Sequence, residues 1–375
     1  MRILSINKRL YTNKDVLEDK YGRLYEIPLE LAKLGNDVDC VTISYRKKKE
    51  GPYLLEDEGN PQWYSANLTP RSLMKLYKHT LALPERKKPD VIWAGSDVLH
   101  IAMALYFSKR FQIPLFVDFY DNYRSFGLTK IPGANYLLKA ACKHAKGITV
   151  ASKALQNLVE NEYSGRRKIL FLPNGVPRSL FRNHKKLGSR RALKIPEKAI
   201  LIGTAGSLDR TRGINTLFEA FSSVAEKYCD TYLVIAGPRK PSQILPQHPR
   251  TIDLGVIGFE LIPIFYSALD IGVVPNRDSD FGNYCSPMKA EEMIACNLPT
   301  VAARTKSTKL DLEHRGVILY DPENYRDLAS KILYLIENTK NQNYISKTRY
   351  WDEMANELSQ FLKLSKASGD IRLQE

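Results

Sequence analysis

The segment DSDFGNYCSPMKAEE, residues 278–292, decides the fold because it joins a predicted strand to a predicted helix. The apolar run 270–275 comes directly before it and indicates a buried strand. A helical run follows and ends before Pro299, since proline cannot continue a helix. A buried strand that turns tightly into a helix is typical of an α/β protein with a parallel sheet.

The start of this predicted helix has the features of an anion site. Ser286 is predicted as the N-cap and Pro287 as the first helical residue. Lys289 then falls in the first turn, where the helix end is already partly positive, so a bound anion would resolve the conflict. Glu292 lies on the same face and suits the hydroxyls of a ribose. The alternative is a capped surface helix with a Lys289–Glu292 pair.

The same strand–helix alternation runs through all 375 residues. Such alternation predicts parallel sheets with helices on both faces, and the number of strands fits two domains better than one. The polar, basic run 173–198 is the predicted boundary. We therefore expect domains at 1–175 and 176–345, and a final amphipathic helix within 346–375 whose apolar stripe must be buried.

A second candidate phosphate loop follows the predicted strand 200–204. It contains Gly206, Ser207, Arg210 and Arg212 and precedes another helix. Loops at the carboxyl ends of parallel strands bind ligands, glycine lets backbone amides approach, and arginine can bind phosphate with two hydrogen bonds. A solvated basic loop is the alternative, but two such loops in one domain could hold one diphosphate.

These motifs resemble the retaining glycosyltransferases of family 4. The family pattern Gly-Arg-Leu-x-x-x-Lys-Gly stands here as GSLDRTRG, residues 206–213, with Ser207 in place of the arginine and Arg212 in place of the lysine. Because the first charge is lost, Arg210 is a candidate to replace it. The resemblance implies the GT-B architecture, in which two Rossmann-like α/β domains with parallel sheets face each other across a cleft.

The second family motif is similar to the segment quoted first. A variant, Asn-x-x-Ser-Pro-x-Lys-x-x-Glu, is matched by Asn283, Ser286, Pro287, Lys289 and Glu292, and residues 295–302 resemble the segment that follows. The resemblance implies diphosphate contacts from Ser286, Lys289 and Arg212 and ribose contacts from Glu292. Pro287 is expected to belong to the same donor-binding segment. Asn283 is the candidate for the sugar of the donor. The final helix resembles the family helix that crosses back to the N-terminal domain.

In the N-terminal half, residues 114–123 resemble the segment where many members carry His-Asp. Tyr120 occupies the histidine position, and Asp121 matches the aspartate. Asp118 and Asp121 are predicted to follow a strand, and either could orient the acceptor hydroxyl as a catalytic group; the alternative is that only one faces the cleft. Gly22 matches one glycine of a loop that often contacts acceptor or diphosphate.

The distribution of charge along the sequence indicates which kinds of partner the protein can bind. The net charge is +15, and residues 1–186 hold 32 Lys/Arg against 18 Asp/Glu. The N-terminal half should therefore meet something anionic: nucleic acid, an anionic membrane surface, or an acidic substrate such as a lipid-linked acceptor. The basic, apolar stretch 71–81 suits an interfacial helix on anionic lipid; the alternative is a solvated helix that packs on the sheet. The first residues are predicted to form a strand and not a signal peptide, and no apolar segment approaches the length of a membrane span. We therefore expect a cytoplasmic protein that attaches peripherally to the inner face of the membrane.

The sequence thus predicts an enzyme that moves a sugar from a UDP- or GDP-type donor to a hydroxyl, without cofactor or metal. Five scattered cysteines and six histidines show no metal-ligand spacing. Two alternatives stay open: a GT-B enzyme that is no transferase, such as a sugar-nucleotide epimerase or a phosphorylase, and a nucleic-acid-binding protein that uses the basic half. No nucleic-acid-binding module is recognisable, so no nucleic acid partner is expected.

Overall fold

The structure is a computed structural model that describes residues 1–11, 14–53, 61–125, 131–164, 167–239, 242–338 and 347–370. The chain divides into two compact units. Unit 1 comprises Met1–Asn174 together with Trp351–Glu375, and unit 2 comprises Gly175–Tyr350. The predicted domains were 1–175, 176–345 and 346–375. The division between the units falls at 174/175 and 350/351, and the final segment, from Trp351 onward, belongs to unit 1. No described helix is both long enough and apolar enough to cross a bilayer.

Unit 1 is built on an eight-stranded sheet in the spatial order β10-β9-β8-β7-β1-β4-β6-β5. The strands are β1 (Arg2–Lys8), β4 (Asp37–Ser44), β5 (Gly51–Tyr53), β6 (Gln62–Asn67), β7 (Val91–Gly95), β8 (Leu115–Phe119), β9 (Gly147–Val150) and β10 (Lys168–Phe171). All neighbours pair in parallel except the edge strand β5, which is antiparallel to β6 and makes the sheet mixed. A short antiparallel pair, β2 (Leu10–Tyr11) and β3 (Lys14–Asp15), lies apart from the sheet.

In the part of unit 1 that the structure describes, the α-helices are α1 (Arg23–Lys33), α2 (Pro70–Lys87), α3 (Val98–Phe111), α4 (Ala134–His144), α5 (Lys153–Val159) and α13 (Trp351–Asp370). Strands β6, β7, β8, β9 and β10 step in one direction through the sheet, so right-handed crossovers place α2, α3, α4 and α5 on one face. The β1–β4 connection steps the other way and places α1 on the opposite face, where α13 packs against it.

The stripe predicted for the final helix is buried within unit 1. Trp351, Leu358 and Leu362 of α13 have 1% exposure or less. The ring of Phe361 reaches Gly147 so closely that a β-carbon on that glycine would lie 2.6 Å from it. Any side chain at the start of β9 would therefore force the Phe361 ring to move.

Unit 2 contains a fully parallel six-stranded sheet in the order β13-β12-β11-β14-β15-β16. Its strands are β11 (Ile200–Ala205), β12 (Thr231–Ala236), β13 (Thr251–Asp253), β14 (Ile271–Val274), β15 (Thr300–Ala303) and β16 (Ile318–Tyr320). Its helices are α6 (Lys186–Ala192), α7 (Ile214–Lys227), α8 (Ile262–Ala268), α9 (Asp280–Tyr284), α10 (Met288–Ala295), α11 (Lys306–Asp311) and α12 (Tyr325–Asn338). Separate apolar clusters fill the two faces, as a doubly wound sheet requires.

Candidate functional site

The two loops predicted to bind phosphate meet at the carboxyl edge of the unit 2 sheet. Gly206 directly follows β11 and has a φ of +102°, a conformation that side-chain-bearing residues rarely adopt. A β-carbon placed on Gly206 would lie 3.6 Å from both Cε and Nζ of Lys289. The lysine of the second motif therefore extends over the glycine of the first, although 83 positions separate them in the sequence.

Helix α10 begins one residue later than the sequence predicted. Met288 is its first residue and Pro287 is its N-cap, and no side chain caps the helix, so Ser286 is not the N-cap and Pro287 is not the first helical residue. Proline at this cap lacks an N–H group, and its extended backbone turns the chain into the helix. Lys289 stays in the first turn. Both Ser286 and Pro287 are half-buried beside it in the sequence.

Lys289 is a lysine held in a positively charged environment. Burial and, to a smaller extent, the nearby charge of Arg212 lower its pKa, Glu292 opposes them, and the net pKa is about 8. Two cations close together cost free energy unless an anion lies between them or beside them. The described residues thus form a site whose charge would be balanced by a bound anion.

The guanidinium of Arg212 packs against an aromatic ring. Its guanidinium carbon lies 3.6 Å from the centroid of the Phe281 ring, which is a cation–π contact, and Arg212 is half-buried. The turn Arg210–Arg212 that carries it is held by Asp209, whose carboxylate accepts a hydrogen bond of 2.8 Å from the amide of Thr211. Arg210 is exposed on this turn, whereas Ser207 is half-buried between the glycine and the turn.

Adjacent glutamates on α10 have different environments. Glu292 is buried, acts electrostatically on Lys289 and accepts a hydrogen bond of 3.3 Å from the hydroxyl of Tyr266. Glu291 is also buried, but both of its oxygens bind the guanidinium of Arg315, and one accepts a further bond of 3.2 Å from Arg349. Glu291 is therefore a structural group, and Glu292 is the carboxylate that belongs to the lysine site.

Asn283 uses its side chain within unit 2. Its amide nitrogen donates to Asp278 at 2.6 Å, and its oxygen accepts from the backbone of Lys306 at 3.0 Å. These bonds join α9 to the start of α11. The amide predicted to contact a sugar is thus engaged in fixing the loop next to the lysine site.

Asp118 in unit 1 lies inside β8, so the expectation that it follows the strand is wrong. Its carboxylate is fully buried and receives two hydrogen bonds from Arg23, at 2.9 and 2.6 Å, and one from Thr149 at 2.5 Å. Arg23 also donates to the carbonyl of Leu172 at 2.6 Å. This closed ion pair joins the start of α1 to the centre of the sheet, and Asp118 has no surface on which to receive a substrate.

Gly22 is the N-cap of α1 and directly precedes Arg23. Its φ of +77° lies in the left-handed region, and its carbonyl accepts the amides of Tyr25 and Glu26. The glycine therefore sets the direction in which the chain enters α1. Sequence reasoning missed Arg23; a charged residue at a helix start after a glycine was the available signal.

A second polar cluster lies at the carboxyl edge of the unit 1 sheet, around Asp121. Asp121 follows β8, Lys8 ends β1, and Asp97 follows β7, so parallel strands bring all three to one edge. Burial lowers the pKa of Lys8, and the charges of Asp97 and Asp121 oppose that shift. The ammonium also lies 5.7 Å from the centroid of the Tyr120 ring.

Asp97 is the best-anchored member of this cluster. Its carboxylate accepts a 2.5 Å hydrogen bond from the Tyr45 hydroxyl and contacts Nδ1 of His100 at 2.7 Å. Burial raises its pKa, but His100, Tyr45 and Lys8 together bring it down to about 2. No local sequence pattern indicates this cluster, because its members come from four separate segments. Among the described residues, no group of three or more His, Cys, Asp or Glu could hold a metal ion.

Comparison with known proteins agrees with this architecture. Residues 199–338 match the family model described as Glycosyl transferases group 1, and residues 23–180 match Glycosyltransferase Family 4. The solved sucrose-phosphate synthase of Thermosynechococcus elongatus covers 98% of this chain and 100% of its own, with a TM-score of 0.78 and 16% identity. Anabaena HepE, solved in complex with UDP, covers 100% and 99% with a TM-score of 0.68 and 18% identity.

The fold is that of a GT-B protein with two Rossmann-like domains. Within that class, the chain belongs to the group 1, family 4 glycosyltransferases. The O-antigen biosynthesis glycosyltransferase WclY of Escherichia coli is 23% identical over 225 residues, which are 59% of this chain and 60% of WclY. The chain spans about half the length of the relatives that it matches.

Proposed function

We propose that this protein transfers a sugar from a nucleoside-diphosphate sugar to a hydroxyl acceptor with retention of the anomeric configuration. The observation that carries the proposal is the meeting of Lys289, Arg212 and the Gly206 loop at one edge of the unit 2 sheet. A diphosphate is the anion that fits there, since it carries enough charge to balance both cations and enough oxygens to bond both loops.

Each group of the site has a proposed role in donor binding. The backbone at Gly206 and Ser207 and the side chains of Arg210 and Arg212 bind one side of the diphosphate. Lys289, with the segment Ser286–Pro287 ahead of it, binds the other side. The family match of residues 199–338 supports this assignment, because it contains both loops.

Glu292 is proposed to bind the ribose hydroxyls. A buried carboxylate next to the phosphate site accepts two hydroxyl hydrogen bonds well, and the Tyr266 hydroxyl holds it in place. Asn283 is proposed to act by ordering the loop that faces the donor sugar, because its amide is already bonded to Asp278 and to the backbone of Lys306.

For the acceptor we propose the Asp121 cluster of unit 1. Asp121 would orient the acceptor hydroxyl, and Lys8 would contact neighbouring oxygens of the acceptor. Asp118 is proposed as a positioning residue, which fixes the start of α1, and hence the backbone at Gly22, through Arg23. The buried ion pair supports that role rather than direct contact with substrate.

The reaction is proposed to need no metal and no protein nucleophile. Negative charge develops on the departing diphosphate, and Lys289 with the arginine turn would stabilise it electrostatically. The departing phosphate would accept the proton of the incoming hydroxyl, so that the main contribution of the chain is positioning.

The biological setting proposed is the assembly of a surface polysaccharide on a lipid-linked intermediate at the inner face of the membrane. The relative WclY is named for O-antigen biosynthesis, and the excess positive charge of the N-terminal half suits an anionic surface. A UDP- or GDP-type donor is proposed, with UDP tested first because HepE was solved with UDP.

The direct test is to incubate the protein with UDP- and GDP-sugars and a lipid-linked acceptor, and to read the product by NMR. Release of nucleotide together with a product of the donor's anomeric configuration is expected. Inverted product would contradict retention. Donor conversion to a second sugar nucleotide without acceptor would favour the epimerase instead. Lys309→Gln, an exposed lysine outside the site, is the matched control for Lys289→Gln.

A further inference from the structure

The helices α2, α3 and α4 form one continuous layer on a single face of the unit 1 sheet, called here the helical layer. The Tyr77 hydroxyl of α2 lies 2.7 Å from that of Tyr106 on α3. Ser108 of α3 lies 2.9 Å from the ring of His144 on α4. The inner side of α2 buries Leu76 and Leu83. The outer side of the layer is therefore a surface that the sheet does not cover.

Large apolar side chains are exposed on this outer side. Tyr136 is 76% exposed, Met74 is 56% exposed, and Tyr106 and Leu137 are each 45% exposed; Ile131, just before α4, is 55% exposed. Single exposed apolar residues are ordinary, but three adjacent helices that each present them are a reason to expect a binding partner.

Exposed basic residues alternate with these apolar ones at helical spacing. On α2, Arg71, Met74, Lys75 and Lys78 follow the i, i+3, i+4, i+7 pattern of one helix face. On α3 the exposed Tyr106 is followed by Lys109 and Arg110, and on α4 Tyr136 is followed by Lys139 and Lys143.

Acidic residues are almost absent from the helical layer. The sequences of its three helices contain one acidic residue, Glu85. Helices α1 and α13, on the opposite face, carry several acidic residues: Glu26, Glu30, Asp352, Glu353 and Glu357. The three helices together hold nine Lys/Arg against one Asp/Glu, and the nearest acidic residues on the same face are Glu160 and Glu162 after α5. Such a positive field favours a flat, negatively charged partner.

We propose that the helical layer is the surface by which this protein lies on an anionic lipid leaflet. The Lys and Arg side chains would meet the lipid phosphates, and Met74, Tyr106, Tyr136 and Leu137 would enter the region between headgroups and acyl chains. A nucleic acid would satisfy the charges but would leave these apolar side chains in water. The biological purpose of this binding, access to a lipid-linked acceptor, rests on the proposed function. The binding to lipid itself does not depend on it.

The test is co-sedimentation of the full chain with vesicles of phosphatidylcholine alone and with phosphatidylglycerol added. Binding is expected only with the anionic lipid. The variant K75Q/K78Q/K139Q should bind about 100-fold more weakly, since each basic residue contributes on the order of 1 kcal/mol. K185Q/K198Q/K309Q makes the same charge change on exposed lysines of unit 2 and should bind like the wild type.

The apolar half of the proposal has its own variants. Y136S/L137S is expected to weaken vesicle binding at least about tenfold, from the apolar area that no longer leaves water. I244S/V256S, at residues 77% and 74% exposed in unit 2, is the control and should have no effect.

Three results would overturn the inference: equal binding to neutral vesicles, equal loss in the control variants, or release by polynucleotide with Y136S/L137S indistinguishable from wild type. The last result would favour nucleic acid. UDP and GDP titrations of the same preparations separate this inference from the proposed function. A protein that binds nucleotide but not vesicles would contradict only the role of the helical layer. A protein that binds vesicles but not nucleotide would contradict only the donor site.

Discussion

At the first turn of α10, Lys289 adds a positive charge to a helix end that is already partly positive, and Arg212 acts on it from the neighbouring loop. The same lysine extends over Gly206. At the scale of single residues, this placement is the clearest departure from what stability alone would favour. Bound diphosphate would convert the repulsion of the two cations into attraction for the ligand.

The pKa of Lys289, lowered to about 8, predicts that nucleotide affinity depends on pH. The bound diphosphate favours the charged lysine, so affinity should be constant below about pH 7.5 and should fall as pH rises through 8 to 9.5. Lys289→Arg keeps its charge over this range and should abolish the decline. Calorimetric titrations between pH 7 and 9.5 measure the nucleotide affinity of the wild type and of Lys289→Arg. A decline of equal size in the two proteins would contradict the role of Lys289.

A second residue-scale prediction concerns the buried Arg23–Asp118 pair. Asp118→Asn leaves the guanidinium without its charge partner and should destabilise unit 1 by about 3–5 kcal/mol. Glu30→Gln breaks the Glu30–Lys33 pair, whose lysine is exposed, and should cost under about 1 kcal/mol. Urea unfolding followed by tryptophan fluorescence measures both, since Trp93 and Trp351 are buried in unit 1. Equal stability of the two variants would show that the pair is not structural.

Helix α10 shows how one element separates stability from ligand binding. Glu291→Gln removes the charge that Arg315 and Arg349 share, so it should lower the free energy of unfolding of unit 2 by about 3 kcal/mol or more. Glu292→Gln should leave unfolding within about 1 kcal/mol of the wild type and weaken nucleotide binding about tenfold or more. Urea unfolding and calorimetry on both variants make the comparison. Exchanged phenotypes would mean that the two carboxylates have been assigned to the wrong roles.

Helix α13 gives a prediction about the packing of unit 1. Leu358→Ala removes buried contacts and should cost about 2–5 kcal/mol, whereas the exposed neighbour Asn356→Ala should change stability by less than about 0.5 kcal/mol. Urea unfolding detects the difference. A neutral Leu358→Ala would mean that α13 adds little to the core.

Some elements could be predicted from the sequence because their signals are local. The apolar pattern predicted most strands of both sheets, but not β6 or β13, and it predicted the buried stripe of α13; turn chemistry predicted the loop after β11. The start of α10 was off by one residue because Ser286 and Pro287 both fit the first positions of a helix. The antiparallel edge strand β5 was missed, since three residues, Gly51–Tyr53, are too short for a periodic pattern.

For the molecule as a whole, the sequence could not reveal groups assembled from distant segments. Asp118 was expected at the end of a strand with access to substrate, but its partner Arg23 lies 95 residues earlier and encloses it. Lys8, Tyr45 and Asp97 meet beside Asp121 only because parallel strands end at one edge. The lysine of one motif and the glycine of the other could be predicted to cooperate, since both followed strands of one domain.

The distribution of charge is the other property of the whole molecule. Nearly all the net charge of +15 lies in residues 1–186, and the three helices of the helical layer concentrate it on one face of unit 1. Unit 2, Gly175–Tyr350, is also positive, with 25 Lys/Arg against 18 Asp/Glu. Unit 1 is therefore distinguished by the concentration of basic residues on its helical layer, and not by its net charge.

The most direct test of the central claim is calorimetric titration of UDP and GDP into the wild type, Lys289→Ala and the control Lys309→Ala. One of the two nucleotides should bind the wild type and the control with a dissociation constant in the micromolar range. Lys289→Ala should bind it at least about tenfold more weakly, since a charge-assisted hydrogen bond is lost. Absence of binding by either nucleotide, or equal affinity in all three proteins, would contradict the donor site.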